Sequence, residues 1–372
     1  MRYYIIAGEA SGDLHASNLM KELKHRDEEA DFRCWGGDLM SARGGHLVKH
    51  YRDLAFMGFV EVLLNIRTIL RNMKFCKQDL IEYMPDVLIL VDYPGFNLRI
   101  AKFAAENGIR VFYYISPQVW AWKKSRVHKI KKYVERMYVI LPFEKDFYNK
   151  YDYDVDFVGH PLLDAIQHVE ADPGFRDRAG LDSRPVLAVL PGSRKQEIRK
   201  MLPLMTEMKD HFNDYQFVIA GAPSVPEEFY RSLTGDADIR IVSGGMHELL
   251  SMAHAAMVTS GTATLETALF RVPEVVCYKG GWLSYYIARK LVVDIEYISL
   301  VNLIMDREVV KELIQGEFQQ KNLEEELGRL ISDDQYRNSM LDGLDELQAK
   351  LGGPGASAKT ADLMIQRLRH KV

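Results

Sequence analysis

Short, almost wholly apolar runs recur along the first half of the chain, separated by helical stretches: Tyr3–Ala7, Val87–Val91, Val111–Ile115 and Met137–Leu141. Strands covered by helices on both faces read this way, whereas a strand with one wet face alternates. The second half repeats the layout in Val186–Leu190, Phe217–Ala220, Ile239–Val242, Ala256–Val258 and Val275–Tyr278. The pattern predicts an α/β protein with two Rossmann-like parallel-sheet domains, alike in architecture rather than in sequence. A length of 372 residues exceeds what one core usually supports and agrees with two domains. Their expected extents are 1–160 and 161–350. The crossing lies near residues 158–165, around Gly159-His160-Pro161, and the polar stretch Glu170–Arg184 belongs to the entry of the second domain. A glycine-rich break, Gly352-Gly353-Pro354-Gly355, sets off 351–372 as a last helix that crosses to the first domain or to a partner chain.

Each half opens with a strand that runs into a glycine-bearing turn and a helix. In the first the turn is Gly8-Glu9-Ala10-Ser11-Gly12-Asp13, in the second Pro191-Gly192-Ser193-Arg194. Such turns leave backbone N–H groups at a helix start, just beyond the carboxyl end of a buried strand. Open parallel sheets bind ligands there, and a helix start favours anions. Only the second turn adds an arginine, whose fork suits phosphate oxygens. Gly192 permits close backbone approach, Ser193 can cap the next helix or donate to an oxygen, and Arg194 can neutralise a diphosphate. A plain strand-to-helix turn with a solvated arginine is the alternative.

A further segment of the second half, Ser260-Gly261-Thr262-Ala263-Thr264-Leu265-Glu266, follows another short strand. Gly261 and Thr262 open a second anion-friendly helix start. Glu266, more than a turn inside, can accept hydrogen bonds from the vicinal hydroxyls of a ribose; otherwise it is an acid favoured by the helix dipole. Together the two segments point to a nucleotide in the second half. A phosphorylated donor there and a different substrate in the first half imply a two-substrate transfer.

Composition narrows the field. A net charge of −4 and a pI near 6.3 argue against a nucleic-acid partner. Cys34, Cys76 and Cys277 are scattered, so neither a disulfide framework nor a zinc site is expected, and a reducing cytoplasm fits. The first strand begins at once, leaving no signal peptide to expect. No apolar run approaches the roughly 18 residues of a membrane span. The absence of G-x-G-x-x-G after the first strand argues against a dinucleotide-dependent oxidoreductase.

The donor-side segments resemble those of GT-B glycosyltransferases, and a longer series of motifs resembles one family, the lipid-A-disaccharide synthases. The series is Gly8-Glu-Ala-Ser-Gly-Asp13, Met57-Gly-Phe-Val-Glu-Val62, Ser116-Pro-Gln-Val-Trp-Ala-Trp122, Leu141-Pro-Phe-Glu144, Gly159-His-Pro161, Leu190-Pro-Gly-Ser-Arg194, Ser260-Gly-Thr-Ala-Thr-Leu-Glu266 and Ser299-Leu-Val-Asn302. These run in order from residue 5 to about residue 315. The resemblance implies two domains facing an interdomain cleft. It also implies transfer of a diacylglucosamine unit from UDP-diacylglucosamine to the 6-hydroxyl of lipid X (diacylglucosamine 1-phosphate), with inversion and with no metal or cofactor.

By the same resemblance Asp92, directly after the strand Val87–Val91, is the base that takes the acceptor hydroxyl's proton. The family often shows Ala-Pro-Asp where this chain has Tyr93-Pro94-Gly95, which spares Asp92 but alters the acceptor contacts around it. A turn-capping aspartate is the alternative. Glu9, Ser11 and Asp13 are acceptor-side candidates, although Ser11 and Asp13 equally suit caps for the helix that follows. His15, one turn further on, reads as a helix-surface residue. Asn302, in the apolar stretch Ile298–Leu303, is expected by resemblance to face the donor pyrophosphate or sugar, with a turn-forming role as the alternative. Arg307 and Glu308 follow as supporting candidates.

The segment Phe56–Leu70 is apolar except for Glu61, Asn65, Arg67 and Thr68. Glu61, Asn65, Thr68 and Asn72 form a narrow polar stripe on a broad apolar helix. A core helix also looks like this, but basic residues follow at Arg67, Arg71, Lys74 and Lys77. A second basic cluster runs from Lys123 through Arg136 beside Trp120 and Trp122. Basic residues beside aromatics fit a surface that meets anionic headgroups. Phe56, Met57, Phe59, Val62, Leu63 and Leu70 are therefore expected to contact lipid, placing a cytoplasmic protein peripherally on the inner membrane. The C-terminal segment is a candidate for homodimer formation. The competing reading is a UDP-N-acetylglucosamine 2-epimerase, an isomerase of the same architecture that handles a soluble sugar.

Overall fold

The computed structural model describes residues 1–53, 66–120, 124–167, 172–235, 239–280 and 296–370. Two open sheets, parallel throughout, organise them. The first contains β1 (Arg2–Ala7), β2 (Asp31–Gly36), β3 (His46–His50), β4 (Val87–Val91), β5 (Arg110–Tyr114), β6 (Arg136–Val139) and β7 (Asp156–Phe157), in the order β3-β2-β1-β4-β5-β6-β7. The second contains β8 (Val186–Leu190), β9 (Gln216–Gly221), β10 (Arg240–Ser243), β11 (Ala253–Thr259), β12 (Glu274–Tyr278) and β13 (Lys311–Ile314), in the order β10-β9-β8-β11-β12-β13.

The central strands β4, β8 and β9 are buried at every position, which is why they read as unbroken apolar runs. The strands the pattern does not announce, β2, β3, β7 and β13, are edge strands or carry charge. Arg33 on β2 reaches Asp79 at 2.5 Å, and β3 is half-exposed with Lys49 and His50.

Strand order builds outward in both directions from β1 in the first sheet and from β8 in the second. Successive helices therefore leave on opposite faces, and the carboxyl ends of the two strands at the reversal frame a crevice. Those strands are β1 and β4 in one sheet and β8 and β11 in the other. Each sheet has its own core: Tyr4, Trp35, Leu88, Ile100 and Tyr113 in the first, and Ala188, Val218, Leu249 and Val258 in the second.

The chain divides into two compact units, 1–164 with 353–372, and 165–352. Gly355, with φ +107°, turns the chain into the last helix, Ala356–Arg369, which packs on the helix Ala10–Arg26 of the first unit. The Asp164 carboxylate accepts hydrogen bonds from the amides of Gly355 (2.5 Å), Ala356 (3.2 Å) and Ser357 (2.8 Å), and Arg26 pairs with Asp362 at 2.6 Å. His15 is not a surface residue: it is 8% exposed, near Asp164 and His160, and burial pushes its pKa down to about 4.

The expected lipid-contacting residues Phe56, Met57, Phe59, Val62 and Leu63 lie outside the described residues. The helix Ile66–Tyr83 follows them. It buries Met73, Cys76 and Leu80 and turns Ile66, Leu70, Arg67, Arg71 and Lys74 outward. Asn72, expected on a polar stripe, is buried. Arg136 leaves the second basic cluster, because its guanidinium is held by Asp154 and Asp156. Among the described residues no helix is long and apolar enough to cross a membrane.

Candidate active site

At the reversal point of the first sheet, the chain leaves β4 through two consecutive non-glycine residues in the left-handed region, Asp92 (φ 43°) and Tyr93 (φ 51°). Side chains adopt this conformation at a cost and keep it only when the surroundings enforce it. Here the enforcement is visible. The Asp92 carbonyl accepts from the Tyr113 hydroxyl (2.5 Å) and from Asn97 Nδ2 (2.7 Å), while the Asp92 amide donates to the Tyr114 carbonyl (3.2 Å). Tyr93 lies over Gly8 so closely that a side chain there would meet its ring at 2.3 Å, which accounts for the glycine just after β1.

The Asp92 carboxyl is pushed up to about 6, first by burial and second by the charge of Glu9; the Tyr93 amide opposes the shift. A carboxylate with a pKa near neutrality can take a proton from an alcohol attacking an electrophile more readily than an ordinary aspartate. Glu9 and Asp92, one beyond the end of each strand at the reversal, are thus brought within electrostatic reach. The next strand also ends in strain, with Ile115 at φ 64° before Ser116. Behind this wall Glu144 is 1% exposed and pushed up to about 7, mainly by burial; it accepts from the amides of Ile140 (3.2 Å) and Leu141 (2.9 Å).

Ser11 and Asp13 do not cap the helix they stand on. Ser11 is exposed in the first turn of Ala10–Arg26, whose cap position is Glu9 and carries no side-chain cap. Asp13 is buried, and its carboxylate accepts from the amides of Gly37 (2.7 Å), Met40 (3.1 Å) and Leu39 (3.2 Å). It thereby holds the start of the short helix Asp38–Ala42, and its oxygens are committed there rather than to an acceptor.

The second sheet presents a matching end at β8 and β11. Gly192 adopts φ +104°, and a side chain there would approach the Glu197 carboxylate at 3.0 Å. Ser193 is exposed and caps nothing: the cap position of the helix Lys195–Glu207 is Arg194, with no side-chain cap. Arg194 Nη1 donates to Glu197 Oε1 at 2.9 Å. Tyr278, at the end of β12, feels both charges, Glu197 raising and Arg194 lowering its pKa after burial has raised it. Past β11, Gly261 precedes the helix Thr262–Leu269, with nothing among the described residues packed within 4 Å of its open side. Glu266 is half-buried on that helix, its Oε1 3.1 Å from His247 Nε2. Glu197 stands three residues from Arg194, a spacing common on any helix, and His247 meets Glu266 from a separate helix, so neither stands out in the sequence.

Asn302, expected to face the donor, turns its amide inward. It lies on the helix Leu300–Met305, fully buried, with its amide spent internally. Nδ2 donates to the Val310 carbonyl (2.8 Å) and to Glu312 (2.9 Å), and Oδ1 accepts from the amides of Val309 (2.7 Å) and Val310 (3.0 Å). Two donors and two acceptor sites are the whole capacity of the group. Arg307 is tied to Glu346 at 2.5 Å, and Glu308 to Lys311 at 3.3 Å.

Comparison with known proteins fixes what this arrangement belongs to. The family model described as Lipid-A-disaccharide synthetase matches residues 3–361. The chain belongs to the lipid-A-disaccharide synthase family. It is a glycosyltransferase. The lipid-A-disaccharide synthase of Myxococcus xanthus is 38% identical over 99% of this chain and 97% of its own length. That of Syntrophus aciditrophicus is 39% identical over 98% and 97%.

Solved structures share the GT-B architecture. UDP-GlcNAc 2-epimerase from Neisseria meningitidis bound to UDP-GlcNAc has a TM-score of 0.71 at 12% identity, covering 98% of this chain and 100% of that one. The calicheamicin glycosyltransferase has a TM-score of 0.61 at 16% identity, covering 99% of each. At these identities the likeness is of fold alone. The epimerase reading therefore yields to the synthase family, which matches in sequence along nearly the whole chain.

Proposed function

We propose that this synthase-family chain transfers a diacylglucosamine unit from UDP-diacylglucosamine to the 6-hydroxyl of diacylglucosamine 1-phosphate, with inversion at the anomeric carbon. The observation that carries the reading is Asp92: a single carboxyl held by a strained, triply bonded turn at the reversal of the first sheet and shifted toward neutrality beside Glu9. Inversion in one displacement needs one base to accept the attacking hydroxyl's proton, and Asp92 is assigned that role. Glu9 sustains its basicity.

On the donor side, Arg194 and the backbone around Gly192 and Ser193 meet the pyrophosphate. The helix start at Gly261 and Thr262 adds N–H groups, and Glu266 takes the ribose. Leaving-group charge is met by these groups without a metal ion. Membrane contact is assigned to the face of Ile66–Tyr83 that carries Ile66, Leu70, Arg67, Arg71 and Lys74, where apolar insertion and attraction to anionic headgroups combine. This places the enzyme peripherally on the cytoplasmic side of the inner membrane.

The test is product analysis. Purified protein supplied with UDP-diacylglucosamine and diacylglucosamine 1-phosphate should yield UDP and a disaccharide 1-phosphate with a β-linkage by NMR, at an undiminished rate in EDTA. Conversion of UDP-N-acetylglucosamine to its 2-epimer, or an α-linked product, would refute the assignment.

A further inference from the structure

The chain leaves β10 through Gly244 (φ +79°) and Gly245 into a helix of which His247 is the second residue. Its imidazole lies between two groups of a neighbouring segment. Nε2 is 3.1 Å from Glu266 Oε1, and the ring is tilted against that of Phe270 with centroids 5.3 Å apart. Phe270 directly follows the helix that bears Glu266, so two points four residues apart fix the ring. Both members of the polar pair keep a wet edge, with side chains 25% exposed for His247 and 17% for Glu266.

That wet edge leaves the pair accessible to a ligand. Here one carboxylate oxygen is engaged by the imidazole, and the other has no further partner among the described residues. Glutamate has three rotatable bonds, and an unheld carboxylate must be ordered each time it meets a ligand.

We infer that His247 is a positioning residue for the donor. It clamps one oxygen of Glu266 and aims the other at the ribose hydroxyls of a uridine nucleotide. The inference rests on the donor-site reading above and adds a residue to it. In this reading His247 acts through Glu266.

Calorimetric titration of the full-length protein with UDP and with 2′,3′-dideoxy-UDP tests it, because only UDP offers the hydroxyls. The quantity read is the preference for UDP, so a general loss of binding cancels. The unmodified protein should prefer UDP, and Glu266→Ala should abolish the preference. His247→Ala should reduce it by about tenfold, the scale of one hydrogen bond to a charged group. His247→Gln, whose amide N–H reaches nearly the place of Nε2, should restore most of it.

If Glu266→Ala keeps the preference, the ribose assignment itself is wrong and the inference falls with it. If Glu266→Ala abolishes the preference while His247→Ala retains it in full, the ribose assignment stands and the positioning role is overturned. A lower unfolding temperature in His247→Ala with an unchanged preference would mark the pair as a tie between helices and nothing more.

Discussion

At the scale of single residues, Asp92 and Arg194 each have a glutamate beside them, Glu9 and Glu197 respectively. Burial and Glu9 raise Asp92 to about 6, so its basic form prevails above that pH and is lost as pH falls through it. kcat/KM should therefore decline with a midpoint near pH 6 on the acid side, because that ratio follows the free enzyme. Asp92→Asn should lower turnover on the order of 100- to 10,000-fold while leaving UDP affinity unchanged by calorimetry. Near-normal turnover in that variant would remove Asp92 as the base.

Arg194 presents the opposite case, since its guanidinium is 58% exposed and paired with Glu197 at 2.9 Å. On the proposed donor site, an incoming pyrophosphate would compete with that carboxylate. Surface pairs are worth ~0.2–1 kcal/mol, so Glu197→Gln should tighten UDP by at most about fivefold. Arg194→Ala should weaken UDP far more than uridine. Weaker UDP binding in Glu197→Gln would mean that the carboxylate orients Arg194 rather than competing with ligand.

At the scale of elements, the segment 298–312 shows how a polar side chain can organise backbone. Glu312 on β13 accepts from the amides of Ile298 (2.8 Å) and Ser299 (2.9 Å), from Ser299 Oγ (2.7 Å) and from Asn302. Asn302 in turn satisfies two amides and a carbonyl beside that strand. Removing it strands several buried groups, each costing about 1–3 kcal/mol when unpaired. Asn302→Ala should lower unfolding free energy by roughly 2–4 kcal/mol, read by urea denaturation. A change below about 1 kcal/mol would show that water replaces the amide, and would reopen a ligand-facing role. The same logic explains Asp13. An aspartate at a helix start is a cap in sequence terms, but which helix it caps is settled by the fold that brings Gly37 to it.

At the scale of the whole molecule, each unit carries its own sheet and core, and the chain passes between them twice, near 164 and near 353. Both passages are gathered at Asp164, which ends the outward run and holds the first amides of the returning helix. In the first unit the helix Ile66–Tyr83 carries an exposed apolar and basic face. Ile66 and Leu70 are 43% and 57% exposed beside Arg67, Arg71 and Lys74. Burying such side chains in lipid returns ~1.5–3 kcal/mol apiece when complete, so Ile66→Ser with Leu70→Ser should release the protein from anionic vesicles without altering its circular dichroism. High salt should release the parent only in part, because it screens the basic residues and not the apolar contact. A folded double variant that still pellets with vesicles would move the membrane surface elsewhere.

The sequence alone determined the architecture, because strands buried on both faces must be apolar at every position and so announce themselves. It located the turns at both sheet reversals for a related reason: glycine alone leaves room for Tyr93 at Gly8 and adopts φ +104° at Gly192 with least strain. It could not assign partners. Asp13, Asn302 and His15 look alike in sequence to a cap, a ligand contact and a surface residue. What each touches depends on segments 24, 8 and 149 positions away, namely Gly37, Val310 and Asp164. Glu197 and His247 carried no signal, because an ion pair on a helix and a histidine beside a glutamate are common anywhere. The return of the last helix to the first unit was likewise decided by tertiary structure. An amphipathic helix states that it needs a surface, and only the packed fold supplies Asp164 and the helix Ala10–Arg26 as that surface.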